Sequence, residues 1–200
     1  MKDSIRFFDI VLSVTGLIIL SPLFLLIAVF IKISSAGPVI YTQKRVGQNG
    51  REFSIFKFRT MRMQRQGDSL LTIGNRDKRI TAVGYWLRRY KLDELPQLGN
   101  VLAGDMSMVG PRPEVKRYTD LYTAEQRRIL SVKPGITDMA SIEYRNENEL
   151  LAAAANPEEF YIKEIMPHKI MLNMQYINSR TIKNYFKVIF YTLFKKSKKG

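Results

Sequence analysis

The chain contains no cysteine and a single histidine, His168. Without cysteine, disulfide bonds and thiolate-held metal sites are excluded, and a reducing compartment is compatible with the sequence. His168 lies in the apolar segment IMPHKIM. A histidine in such a setting is far more often packed or on the surface than a ligand, so neither a Ser-His nucleophile nor a histidine metal site is predicted.

Acidic residues are also scarce. The chain of 200 residues has 18 Asp and Glu against 32 Lys and Arg, which gives a formal net charge of +14. This length suits one domain with a core, or a domain with a short anchor. The excess of positive charge indicates an anionic partner, which is nucleic acid, an acidic membrane surface or a phosphorylated substrate. Charge alone does not choose among these classes.

The segment at 10–31 carries no charged residue. At about 1.5 Å per residue, a helix of this length crosses a bilayer core of about 30 Å. Ser21 and Pro22 interrupt it near the middle, and a proline there kinks the helix and leaves two arms that are each too short to cross. Basic residues flank both ends, so the positive-inside rule gives no polarity. A plain kinked span and a re-entrant helix that returns to the same side both stay open.

The segment at 38–61 predicts a β-hairpin, with two runs rich in Val, Ile, Tyr and Phe on either side of Asn49-Gly50. Lys57 and Arg59 are two residues apart, so in a strand they point to the same side. They form either a phosphate-facing pair or two solvated cations on a sheet edge. The Gly-, Asn- and Asp-rich segment at 67–79 is predicted to be a loop.

Helices are predicted at 81–90 and, from leucines spaced three and four residues apart, at 95–103 before Gly104. The segment at 104–115 predicts a turn, a short strand and a rigid Pro-Arg-Pro loop. Further helix starts are expected at Thr123, Asn146 and Asn156. The aromatic helix at 181–194, followed by KKSKKG, suits either a membrane interface with anionic lipid heads or a terminal helix packed on the core.

Two adjacent carboxylates, Asp93 and Glu94, lie between strongly basic flanks in KLDELPQLGN. Pro96 is tolerated only in the first turn of a helix, so the dyad is predicted at a helix N-terminus, where phosphates also bind. A carboxylate held ionised can attack a phosphoryl centre while its neighbour helps to hold Mg²⁺. The alternative is an ordinary acidic helix cap.

Several cations are candidates for the remaining phosphate oxygens, with arginine preferred for its planar fork. They are Lys57, Arg59, Arg88 and Arg112. The dyad alone is a weak signal, and the whole constellation is more specific.

The segment at 79–113, RITAVGYWLRRYKLDELPQLGNVLAGDMSMVGPRP, resembles the signature of the bacterial sugar transferases, which are monotopic phosphoglycosyl transferases. The resemblance extends to KFRTM at 57–61, SP at 21–22 and KPGIT at 133–137. It implies an α/β fold, mostly α. A re-entrant membrane helix at 1–36 would precede a compact catalytic domain at 37–200, with a small β-hairpin and amphipathic interfacial helices, on the cytoplasmic face of the bacterial inner membrane.

The resemblance also implies a ping-pong transfer of a phosphosugar from a UDP-sugar to polyprenyl phosphate, with release of UMP. Asp93 would be the nucleophile, and Asp93 and Glu94 together the Mg²⁺ site. Ser21 and Pro22 would form the membrane kink. Membrane lipids and downstream glycosyltransferases are the other expected partners, and nucleic acid is not expected. The phosphate-binding and substrate-binding positions are Lys57, Arg59, Arg88, Arg112 and Arg145.

The segment at 138–149 departs from the pattern common in the family, although Arg145 matches its arginine. The differences are at Asp138, Ser141, Glu143 and Tyr144, so the sugar is not predicted from relatives. The alternatives to an enzyme are a membrane-tethered basic module that binds nucleic acid or anionic lipid, and a structural scaffold.

Overall fold

The computed structural model describes residues 2–62 and 79–194. The α-helices are α1 (Lys2–Ser34), α2 (Ala82–Arg89), α3 (Gln97–Ala103), α4 (Lys116–Thr119), α5 (Met139–Glu143), α6 (Glu147–Ala153), α7 (Pro157–Phe160), α8 (Met166–Asn178) and α9 (Ile182–Phe194). The strands are β1 (Ile40–Val46), β2 (Glu52–Phe58), β3 (Ser107–Val109) and β4 (Gly135–Thr137). Short 3₁₀ helices cover Gln48–Gly50, Leu92–Glu94 and Gln126–Ser131, and Tyr161–Ile165 is π-helical. The fold class expected from the sequence, mostly α with a small hairpin, is confirmed.

Two sequence predictions fall largely beyond these residues. The loop predicted at 67–79 lies outside the described residues except at its last position, and the lysine-rich end at 195–200 lies outside them entirely.

The hairpin predicted around Asn49-Gly50 is confirmed. Strands β1 and β2 pair antiparallel, from Ile40 opposite Phe58 to Val46 opposite Glu52. Asn49 and Gly50 both adopt positive φ, 57° and 76°, as a tight turn between twisted strands requires. The end of β2, which carries Lys57, lies next to the dyad.

The second sheet is a parallel pair of β3 and β4, with Ser107 opposite Gly135 and Val109 opposite Thr137. The short strand at β3 is confirmed, whereas its partner was not predicted. Parallel strands need a crossover connection, which here contains α4 and the 3₁₀ helix at Gln126–Ser131. That 3₁₀ helix takes the place of the α-helix predicted from Thr123.

The helix α1 is continuous through Ser21 and Pro22. Proline lacks the N–H that would bond to the carbonyl of Ile18, four residues earlier. The Ser21 hydroxyl donates to that carbonyl at 2.8 Å instead. The backbone is thus helical on both sides of Pro22, and the kink at Ser21 and Pro22 with its two arms stays a prediction.

The N-terminal part of α1 is fastened to the domain by polar contacts. Arg6 donates to the carbonyls of Val101 and Leu102 at 2.5 and 2.9 Å, at the end of α3. Asp9 is buried and one of its oxygens accepts from the Ser107 hydroxyl. The backbone N–H of Met108 and the hydroxyl of Tyr185 donate to that same oxygen. These contacts tie α1 to α3, β3 and α9.

The C-terminal part of α1 packs on the same domain. Ile27 and Ile31 are buried against Phe58 of β2 and Leu87 of α2. The opposite face of the helix is apolar and exposed over its whole length, for example at Ile18, which is 68% exposed. The segment Ser4–Ser34 is long and apolar enough to cross a membrane, judged by length and composition alone.

Two helical glycines provide a matched test of how α2 is placed. A Cβ on Gly84 would lie 1.9 Å from the carbonyl oxygen of Thr60, whereas a Cβ on Gly99 in α3 would make only ordinary contact, 3.6 Å from Phe56. We expect Gly84→Ala to lower the free energy of unfolding by about 1–3 kcal/mol, because backbone on both sides resists the added methyl. Gly99→Ala should leave the stability unchanged or raise it by up to about 1 kcal/mol.

The measurement is chemical unfolding of both variants in the same detergent, followed by tryptophan fluorescence. Equal destabilisation by the two substitutions would contradict the close approach of α2 to Thr60.

Candidate active site

The dyad occupies its own short 3₁₀ helix, Leu92–Glu94, between α2 and α3. Pro96 stands as the residue before α3, and Lys91 enters the turn in the left-handed conformation, with φ 55°. The prediction that the dyad lies at the start of the α3 segment is confirmed, with an extra turn between the carboxylates and the helix itself. This turn lies against the end of β2.

Glu94 is held by two cations. The Lys57 ammonium donates to its Oε1 at 3.0 Å, and the Arg112 guanidinium contacts both of its oxygens, with Nη1 3.2 Å from Oε2 and Nη2 on Oε1. Only 12% of the Glu94 side chain is exposed. A bidentate arginine and a lysine on one buried carboxylate form a geometrically specific pair of contacts.

This arrangement keeps Glu94 ionised. Burial alone would raise the pKa of Glu94, but the charges of Arg112 and Lys57 and the hydrogen bonds from Arg112 hold that pKa well below its ordinary value. In return, Glu94 raises the pKa of Arg112, against the opposing effect of burial. Burial lowers the pKa of Lys57, although Glu94 opposes the change.

Asp93 has a different environment from its neighbour. Among the described residues, no hydrogen bond or ion pair is found on its carboxylate, in contrast to Glu94. Burial and the adjacent charge of Glu94 raise the pKa of Asp93 above its ordinary value. The nearby charges of Lys57 and Arg88 act in the opposite direction. Within residues 2–62 and 79–194, its oxygens are therefore not committed to a partner.

A cleft of about 1050 Å³ opens beside the dyad. Arg88 reaches it from the last turn of α2, Arg112 from the loop after β3, and Arg145 from the turn after α5. Arg145 also donates to the carbonyl of Thr192 in α9 at 2.9 Å. The structure therefore brings Arg88, Arg112 and Arg145 to one cleft together with Glu94. A guanidinium has the planar fork that suits phosphate oxygens.

Arg59 does not belong to this group. It is buried, and its guanidinium donates to the carbonyls of Ala36 and Ser35 at 2.7 and 2.6 Å. These carbonyls follow the end of α1, where unpaired acceptors favour a cation. The interpretation of Lys57 and Arg59 as a phosphate-facing pair is not supported, because Arg59 is turned to α1 while Lys57 is bonded to Glu94.

Two residues of the site were not predicted as such. Lys91 lines the cleft, and burial together with the charge of Arg112 lowers its pKa. Its place two residues before the dyad was the available signal. Asp138 accepts a hydrogen bond from the backbone N–H of Arg112 at 2.9 Å. It had been noted only as a difference from the family pattern, and its contact depends on a strand pairing that no local pattern indicates.

The donor chemistry of the dyad fits Mg²⁺ in one particular way. This ion takes oxygen ligands, keeps several waters and needs only one or two carboxylates when substrate phosphates also bind it. Within residues 2–62 and 79–194, no group of three or more His, Cys, Asp and Glu is assembled for a metal. Both oxygens of Glu94 already accept from cations, so Asp93 has the more available oxygens for such an ion.

Comparison with known proteins identifies the family. The model for the bacterial sugar transferases matches residues 2–199. The chain belongs to the bacterial sugar transferase family. It is 38% identical over 194 residues to the UDP-glucose:undecaprenyl-phosphate glucose-1-phosphate transferase of Klebsiella pneumoniae, with 95% of this chain and 39% of that protein covered.

Other bacterial sugar transferases differ in the sugar that they are named for. The chain is 42% identical over 142 residues to the UDP-N-acetylgalactosamine-undecaprenyl-phosphate N-acetylgalactosaminephosphotransferase of Aeromonas hydrophila, covering 68% of this chain and 33% of that protein. It is 39% identical over 159 residues to the exopolysaccharide production protein ExoY of Sinorhizobium fredii, covering 71% and 70%. The chain thus spans about two fifths or less of the length of the first two relatives.

The opposite pKa shifts of the two carboxylates predict opposite pH dependences. Because folding lowers the pKa of Glu94, its stabilising contribution is complete above the unfolded value of about 4.3 and is lost as the pH falls through the folded value. The stability of the wild type relative to Glu94→Gln should therefore decrease below about pH 4. Folding raises the pKa of Asp93, so the stability relative to Asp93→Asn should increase as the pH falls towards about 3.9.

Urea unfolding from pH 3.5 to 7.5, with a metal chelator present, measures both differences. Two differences that change with pH in the same direction would contradict the assignment of the carboxylates to different environments.

Proposed function

We propose that this chain transfers a phosphosugar from a UDP-sugar to polyprenyl phosphate, producing UMP and a polyprenyl diphosphate sugar. The single observation that carries the proposal is an Asp93 carboxylate with no bonded partner among the described residues, in a member of the bacterial sugar transferase family. Its neighbour Glu94 lines a cleft together with Arg88, Arg112 and Arg145. The printed names of the relatives from Klebsiella pneumoniae and Aeromonas hydrophila describe sugar-phosphate transfers to undecaprenyl phosphate. That supports the polyprenyl phosphate acceptor.

In the first step, an Asp93 oxygen attacks the phosphorus that carries the sugar. A new oxygen–phosphorus bond forms, the bond from that phosphorus to the bridging oxygen breaks, and UMP leaves with the bridging oxygen and its electron pair. In the second step, a phosphate oxygen of polyprenyl phosphate attacks the same phosphorus. The bond to Asp93 breaks, and the carboxylate is restored. This ping-pong order is supported by the contrast between a bonded Glu94 and an available Asp93.

The cations of the site act on different negatively charged groups. Arg88 influences the charge of Asp93 directly and lies at the cleft, so it suits an oxygen of the transferring phosphate. Arg112 and Lys57 hold Glu94 ionised, and Arg145 lies at the wall formed by α5 and α9. Asp93 is the residue of the dyad whose oxygens would hold Mg²⁺, with Glu94 beside it, and the ion would supply positive charge to the substrate phosphates.

We propose that α1 anchors this domain to the cytoplasmic face of the bacterial inner membrane with both of its ends on one side. Arg6 and Ile31, near opposite ends of the helix, both contact the catalytic part of the chain. A helix that crossed the bilayer would carry one end away from the domain. The apolar outer face of α1, with Ile19 at 69% exposure, faces the lipid in this arrangement. The residues at 1–36 then form the anchor and those at 37–200 the catalytic domain.

The test of the reaction is UMP release with a panel of UDP-sugars and polyprenyl phosphate in nanodiscs. Asp93→Asn should reduce turnover by about 1000-fold or more, because the nucleophile is lost. Asp120→Asn, which removes an exposed carboxylate paired with Lys116, is the matched control and should keep turnover.

Incubation with donor alone should place one phosphosugar on Asp93, read by mass spectrometry, since the first step needs no acceptor. Substantial turnover by Asp93→Asn would rule out the nucleophile assignment. If no UDP-sugar is consumed and the chain instead binds nucleic acid with a steep dependence on salt, the basic-module alternative takes its place.

The topology can be tested directly because the chain has no native cysteine. Ser4→Cys and Ala36→Cys mark the two ends of α1, and Ala153→Cys on α6 marks the side of the catalytic domain. With a membrane-impermeant maleimide, all three should label from the same side. Ile19→Cys, in the exposed apolar face, should be protected. Labelling of the two ends from opposite sides would establish a plain span instead.

A further inference from the structure

The segment at Pro111–Pro113 has only one backbone donor. Proline has no N–H, so Arg112 supplies the only backbone N–H of these three residues. That N–H donates to the Asp138 carboxylate, with 2.9 Å between the nitrogen and Oδ2. Because β3 and β4 are parallel, Arg112 and Asp138 both follow the carboxyl ends of their strands and meet at the same edge.

The approach of the two strands makes this contact tight. A Cβ on Gly135 would lie 2.1 Å from the nitrogen of Gly110, so the backbones touch without side chains between them. Gly110 also donates to the carbonyl of Thr137 at 3.1 Å. The loop that carries Arg112 therefore lies directly against the residue that accepts its N–H.

The Asp138 carboxylate is saturated with donors. Its side chain is buried, with 1% of the residue exposed. Its Oδ1 accepts from the backbone N–H of Ser141 at 2.5 Å and caps α5, and its Oδ2 also accepts from the amide of Asn173 in α8 at 2.8 Å. One side chain thus joins the loop after β3, the start of α5 and the middle of α8.

Capping does not explain why a charged group is used here. Serine or asparagine caps a helix as well as aspartate does. A buried carboxylate without an ion pair is costly, and no ion pair to Asp138 is found in the part of the chain that the structure describes. Asp138 holds the main chain of Arg112, and its negative charge also attracts the positive guanidinium of Arg112.

We propose that Asp138 is a positioning residue for the transfer reaction: it fixes the main chain of Arg112, and through it the place of the Arg112 fork on Glu94 and in the cleft. The inference rests on the proposed function, because misplacement of Arg112 is measured through the rate of that reaction. Asp138 touches no substrate in this role. It acts through Arg112, which a shift of about 1 Å would remove from its productive geometry.

Two substitutions separate this role from a purely structural one. Asp138→Ser keeps a side-chain oxygen to cap α5 but is too short to reach the N–H of Arg112. Asn173→Leu removes the tie to α8 and leaves the contact with Arg112 intact; the amide oxygen of Asn173 is buried and unpaired among the described residues, so its loss is mild. Asp138→Asn, of equal size, replaces one acceptor by a donor and serves as a second variant if the serine protein is unstable.

Kinetics of UMP release give the expected pattern. Asp138→Ser should lower kcat by about 10- to 100-fold while the KM for the UDP-sugar stays within about threefold, because the cation remains in the cleft but is misaligned. Asn173→Leu should keep kcat within about threefold. In the background of Arg112→Lys, which lacks the fork, Asp138→Ser should cost less than about threefold.

Two kinetic outcomes overturn the inference. An equal loss of kcat from Asp138→Ser in both backgrounds shows that it acts independently of Arg112. A comparable loss from Asn173→Leu shows that the tie between α5 and α8 is what matters. If the wild type releases no UMP from any donor, the proposed function fails. The Tm values of the wild type, Asp138→Ser, Arg112→Lys and the double variant are then compared. Non-additive shifts then retain the coupling of Asp138 to Arg112, and additive shifts reject it.

Discussion

The buried contact of Glu94 with Arg112 and Lys57 is the interaction on which the site depends. It joins three parts of the chain that are far apart in sequence: the end of the hairpin, the turn of the dyad and the loop after β3. Removing Glu94 would leave Lys57 and Arg112 without their carboxylate, and removing either cation would leave Glu94 with a single cation. Both changes cost stability, because the Glu94 carboxylate is largely shielded from water. The hairpin, the small parallel sheet and α3 therefore serve to hold one ion cluster in place.

The same contact distinguishes two carboxylates that local sequence treats alike. The negative charge of Glu94 is balanced by the positive charges of its two cations. Asp93 lies beside the negative charge of Glu94 and has no bonded partner among the described residues. The pKa of Glu94 is lowered and that of Asp93 is raised as a result. In the proposed reaction, Glu94 would hold the cations in place and Asp93 would be the group that reacts.

Sequence reasoning predicted the hairpin, α2 and α3, because turn residues, leucine spacing and Pro96 act locally. The grouping of the arginines with the dyad was expected from their charge and from the family resemblance. Sequence reasoning missed β4 as a strand and Asp138 as a site residue, because both depend on a parallel pairing across a long connection. It misassigned Arg59, because the sequence spacing from Lys57 is the same whether the arginine binds a phosphate or the carbonyls at the end of a helix. The Ser21 hydroxyl bonds to the carbonyl that Pro22 leaves without its N–H partner, a contact that hydropathy does not register.

The contact between Gly110 and Gly135 restricts how this site can diverge. Since neither position tolerates a larger residue, substitution cannot alter the backbone contact next to Arg112. This contact therefore offers no means of changing the size of the cleft. Ser141, Asn146 and Glu149 line the cleft with their side chains and are not glycines. Variation in donor choice among related chains, or in laboratory libraries, is therefore best sought at these three positions, with the phosphate-facing side left as it is.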